Sequence, residues 1–200
     1  MHRCTYETLR RFAGALALGS LALFSAASSG QGANQGTADA VSRGEYLVKA
    51  MGCNDCHTPW KMGPNGPEMD MARMLSGHPE GLNLKPPQSA APPWATSVDM
   101  TFTAWAGPWG VSYTANLTPD PETGLGKWTE EDFRAAMKSG RHQGRGRQIL
   151  PPMPWFNLAG LTDGDLSAVY QYLQSIPPIA NKVPDPLPPA GGAASPSGGK

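Results

Sequence analysis

Cys53-Asn54-Asp55-Cys56-His57 places two thiols three positions apart with an imidazole directly after them. On one turn of helix such thiols can reach the two vinyl groups of a porphyrin edge, and the imidazole is carried under the iron as its proximal ligand. This spacing is the attachment signature of c-type haem. In a chain with three Cys and four His, chance produces the pattern about once in a thousand sequences of that composition. A zinc site, a redox-active CxxC and a disulfide compete for the same residues. Tetrahedral zinc needs further ligands, and His78 and His142 stand singly, with no second CxxC and no HxxxH pair. A thioredoxin-type CxxC follows a strand in a βαβ unit, whereas this one follows a helical pattern.

A sixth ligand must come from elsewhere in the chain, and a thioether raises the reduction potential relative to a second imidazole. Eight methionines are available from Met51 onward. Met51 lies too close to the attachment site, Met137 falls on the apolar stripe of a helix, and Met69, Met71 and Met74 read as packing in an irregular stretch. Met153 differs. In Leu150-Pro151-Pro152-Met153-Pro154-Trp155, three prolines fix φ and remove backbone donors, giving the stiff support that a weak Fe–S bond needs. The expected iron ligands are therefore His57 and Met153. His78 and His142 read as solvated loop side chains, and Arg141, Arg145 and Arg147 as a solvated basic run that could also pair with haem propionates.

Three helices must position these groups. Residues 40–52 carry Val41, Tyr46, Leu47, Ala50 and Met51 at helical spacing and deliver the CxxCH. Residues 129–139 open on Thr129 with Asp132 at the capping-box position, bury Phe133, Ala136 and Met137, and stop at Gly140. Residues 162–175 open on Thr162 and carry a stripe of Leu166, Val169, Tyr170 and Leu173 before Pro177. Between the first two lie about seventy-five residues rich in Pro, Gly and Trp, an insert long enough to imply that it wraps something. Its predicted strand content is low, one short hairpin around residues 109–116.

Arg3, Arg10 and Arg11 precede an apolar run from Phe12 to Ala26 and then small residues, so residues 1–28 read as an export signal, too short for a full membrane span. Residues 29–38 and 182–200 are small, polar or Pro/Gly-rich and read as flexible segments flanking one domain at 39–181. The whole chain holds 16 basic and 16 acidic residues. That balance disfavours a nucleic-acid binder working by phosphate neutralisation.

With these residues in place the chain resembles the class I c-type cytochromes: helix, CxxCH, variable middle, helix, methionine loop, last helix. GPWGVSYTANLTPDPETGLGKWTEEDF (107–133), GRGRQILPPMPW (144–155) and LTDGDLSAVYQYLQSIPP (161–178) look like the haem domains of the cytochrome subunits of bacterial alcohol and aldehyde dehydrogenases. The resemblance implies an all-α haem domain with one covalently attached haem c. In it the first and last helices cross, Gly44, Tyr46 and Leu47 meeting Tyr170 and Leu173, and Asn116, Leu117, Leu125 and Trp155 lie near the haem. It departs from those subunits in carrying one CxxCH where they usually carry three.

The function expected is single-electron transfer in the periplasm between redox partner proteins, a dehydrogenase or an oxidase, without catalysis by the chain itself. Membrane attachment is expected only if the signal segment is retained. A haem enzyme or haem-based sensor is the alternative, and either needs an open or displaceable sixth position.

Overall fold

The computed structural model describes residues 29–82, 84–85 and 95–189, with side chains from Gly36 onward. Residues 1–28, expected above to be an export signal, and residues 190–200 lie outside the described residues. Among the described residues the α-helices are α1 (Ser29–Ala50), α2 (Cys53–His57), α3 (Glu130–Ser139), α4 (Trp155–Leu158) and α5 (Asp163–Ser175). Five short strands lie between α2 and α3: β1 (Trp60–Gly63) with β2 (Gly66–Met69), and β3 (Ser97–Val98), β4 (Ala104–Gly107) and β5 (Gly110–Tyr113). Both sheets are antiparallel, ordered β1-β2 and β3-β4-β5.

Local chemistry explains the helix limits. Thr129 and Asp132 form the expected capping box, each side chain accepting the other's backbone N–H. Gly140 ends α3 at φ 66°, a left-handed position where glycine carries no Cβ penalty. Thr162 caps α5 by accepting from the Asp165 N–H at 3.1 Å.

The core gathers on α1, α3 and α5, through Leu47, Val48, Phe133, Ala136, Met137, Leu166, Val169, Tyr172 and Leu173. α1 and α5 touch at Gly44, where a Cβ would fall 2.0 Å from the Ala168 carbonyl oxygen. Only glycine permits backbones to approach so closely.

Several expectations need correction. The buried face of α1 is Gly44, Leu47 and Val48, so Tyr46 points away, 61% exposed, with the Arg43 guanidinium 5.5 Å from its ring centroid. Tyr172 takes its place against α1, while Tyr170 turns toward α3, its ring 5.9 Å from Phe133 and its hydroxyl donating to the Trp128 carbonyl at 2.8 Å. Residues 29–38 are not a loose lead but extend α1. Once the packed turns are nucleated, propagation adds a hydrogen bond per residue.

The fold is helical in its core but not wholly α. The insert builds two sheets, with a β1–β2 hairpin that the sequence did not suggest and a β4–β5 hairpin turning at Pro108–Trp109, a little earlier than expected. Residues 182–189 are not a free tail, because Leu187 exchanges both backbone hydrogen bonds with Val111 at 2.9 Å. No helix among the described residues is long and apolar enough to cross a membrane.

Candidate haem attachment site

The five residues Cys53–His57 form α2 itself, set off from α1 by Gly52 at φ 69°. On so short a helix Cys53 and Cys56 lie one turn apart on the same side. Both thiols are free and partly exposed. Burial pushes Cys53 up to about 11, and Cys56 is raised for the same reason. A redox-active CxxC needs a thiol shifted the other way.

His57 is buried, and its Nδ1–H donates to the Ala115 carbonyl at 2.8 Å. That bond leaves Nε2 free to coordinate a metal and fixes the ring's direction, as the outer partner of a metal-bound histidine does. Burial lowers the His57 pKa, which keeps the imidazole in its neutral, ligating form. The helix end is locked from outside. The Thr58 hydroxyl donates to Asn54 Oδ1 at 2.9 Å and accepts the Leu75 N–H at 2.9 Å.

Cys53, Leu117 and Met153 are partly buried and pack against one apolar cluster that includes Leu125, with Met51, Ile149 and Leu158 beside them. Two free thiols, an imidazole held by its far nitrogen and a surrounding apolar surface are the donor set and setting that covalently attached haem requires. The residues present fit haem c.

The other expected site residues take varied places. The Asn116 amide is spent on the loop, donating to the Ile179 carbonyl at 2.8 Å and to Thr123 Oγ1 at 3.2 Å, while its oxygen accepts from the Thr118 hydroxyl at 2.7 Å. Trp155 lies over Gly140, where an added Cβ would come within 2.3 Å of the indole.

His78 is not a solvated loop residue. It is fully buried, with Nδ1 2.8 Å from Thr103 Oγ1 and Nε2 3.1 Å from the Leu82 carbonyl. With both nitrogens engaged it is a structural histidine. His142 is exposed, its ring edge-on to Trp128 at 4.8 Å. Arg145 pairs with Asp132 at 3.0 Å, and Arg141 and Arg147 donate to neighbouring loop carbonyls.

Sequence reasoning missed Ala115, Ser112 and Asn181. Ala115 acts through a backbone carbonyl, which leaves no trace in residue type. Asn181 is 2% exposed and donates to the Ser76 and His78 carbonyls at 2.7 and 2.9 Å. The Ala-Asn-Lys between its two proline runs was the one available signal.

No protein-family model matches the chain. The cytochrome c subunit of a quinone alcohol dehydrogenase from Gluconobacter oxydans is 31% identical over 176 residues, 86% of this chain and 28% of that one. The gluconate 2-dehydrogenase cytochrome c subunit of Pantoea cypripedii is 29% identical over 141 residues, 70% of this chain and 24% of that one. The fructose dehydrogenase cytochrome subunit of Gluconobacter japonicus is 29% identical over 135 residues, 68% of this chain and 21% of that one. The chain thus spans between 21% and 28% of the length of these relatives.

Proposed function

We propose that this chain, a relative of the cytochrome c subunits of bacterial dehydrogenases, is a monohaem c-type cytochrome that carries single electrons. The observation that carries the reading is the CxxCH helix with His57 Nδ1 tied to Ala115. Bound haem c supplies a one-electron ferrous/ferric couple. Cys53 and Cys56 would tether it as thioethers, and His57 would offer Nε2 in an orientation fixed by Ala115. Met153, on its proline-rich loop, would supply the second ligand to the iron and leave no room there for a substrate. Leu117 and Leu125 would keep the surroundings of the site apolar.

The expected donor is a dehydrogenase, in line with what the relatives serve, and the acceptor a second redox protein. Residues 1–28 as an export signal put the mature chain in the periplasm, where c-type haem is attached.

The test is a pyridine haemochrome assay against protein mass, with one haem per chain expected that acidic acetone cannot extract. A ratio near two, or extractable haem, overturns the monohaem covalent reading. Carbon monoxide separates carrier from enzyme. Slow, weak binding to the ferrous protein at neutral pH is expected, because the Fe–S bond must break first. Rapid tight binding, or peroxide turnover at roughly 1–10³ per second, supports the enzyme alternative instead.

A further inference from the structure

Three of the four residues 151–154 are prolines without an N–H. The Met153 loop therefore cannot hold itself with a backbone ladder, and its carbonyls must find donors elsewhere. One donor is the Ser112 hydroxyl, 7% exposed on β5 and 2.5 Å from the Pro151 carbonyl oxygen. A hydroxyl has one proton, and the longer 3.4 Å approach to the Trp105 carbonyl leaves that proton with Pro151. Trp109 Nε1–H donates to Ser112 Oγ at 3.2 Å and orients the hydroxyl. Three residues farther along the same segment, the Ala115 carbonyl holds His57. β5 is itself clamped from the other side by Leu187, whose carbonyl oxygen would lie 2.0 Å from a Cβ on Gly110.

We propose that Ser112 is a positioning residue for the Met153 loop, and that residues 112–115 clasp the carriers of both axial ligands to one stretch of backbone. The inference rests on Met153 being the sixth ligand. It assigns the insert a role: the β3-β4-β5 sheet is the buttress that keeps the sixth position closed. Losing the hydroxyl raises the fraction of molecules with the loop open, and an exogenous ligand then binds more tightly by the same factor.

The experiment titrates the ferric holoprotein with imidazole, following loss of the near-infrared thioether band, in wild type, Met153→Ala, Ser112→Ala and Ser112→Thr. Met153→Ala should lack the band. If it keeps the band, the ligand assignment and this proposal both fall. If Met153→Ala loses the band, Ser112→Ala should keep it at neutral pH yet bind imidazole roughly five- to tenfold more tightly, the factor for one ordinary hydrogen bond. Ser112→Thr, which retains the donor, should bind as wild type. Imidazole affinity in Ser112→Ala within twofold of wild type overturns the positioning role alone, leaving the ligand assignment intact. Equal tightening in Ser112→Thr overturns it too. Should alanine at this position fail to fold, Ser112→Val keeps a strand-favouring side chain without a donor and must give the same tightening.

Discussion

A metal-ligating imidazole usually donates its other ring N–H to a fixed acceptor, and the two buried histidines among the described residues differ on that point. His57 spends Nδ1 on Ala115, while His78 spends both nitrogens, on Thr103 and Leu82. The chemistry of each therefore follows from its partners and not from its residue type. His78→Ala should cost about 2–3 kcal/mol, a buried polar group losing its place in a network, and leave the haem spectrum unchanged. A changed axial spectrum in that variant would make His78 a ligand.

Burial, reinforced by Arg73, lowers the His78 pKa, against smaller raising effects from the Leu82 carbonyl and Asp99. The unfolded chain thus takes up a proton near the ordinary histidine value of about 6.5 that the folded chain resists. The stability from neutral His78 is present in full above that pH and declines as pH falls below it toward the folded pKa. Denaturant unfolding across this window should show a steeper loss for wild type than for His78→Gln, and equal slopes would contradict the assignment.

Helix contacts in this chain are set by register. α1 presents Gly44, Leu47 and Val48 to α5, and Tyr46, two positions past Gly44 and so about 200° round the helix, falls on the opposite, exposed face. Leu173, 2% exposed in the core, should lose roughly 2–5 kcal/mol on replacement by Ala. Tyr46→Ala, on the exposed face, should change stability by under about 0.5 kcal/mol. Thermal unfolding of the pair checks the register, and comparable losses would put Tyr46 in the interface after all.

The molecule is closed by its C-terminal segment, which ties elements far apart in sequence. Asn181 Oδ1 accepts from Arg73 at 3.0 Å and from the Glu80 N–H at 2.9 Å, its Nδ2 reaches the carbonyls of residues 76 and 78, and its own N–H donates to Thr123 at 3.0 Å. Asn181→Ala should free residues 58–82 of the insert from the helical core, costing about 2–4 kcal/mol. Limited proteolysis is the readout: early cleavage within 58–82 is expected, with α1, α3 and α5 surviving longer. Wild-type resistance throughout would show that the strap is dispensable.

The CxxCH motif, the ends of α3 and α5 and the proline-rich run around Met153 were legible in the sequence, because each is a local property. A capping box, a left-handed glycine and a CxxCH spacing act within one turn of chain. The β4–β5 hairpin was legible within a few residues, but the β1–β2 hairpin, which no strong turn signal marks, and the pairing of residues 182–189 were not, the latter because it rests on a bridge between residues as distant as Val111 and Leu187. Composition describes how little a segment can bury by itself, not what an existing surface offers it. Which face of α1 is buried, which histidine keeps a free nitrogen and which hydroxyl bonds the Pro151 carbonyl were decided in the tertiary structure, by backbone carbonyls and close approaches that no residue type announces.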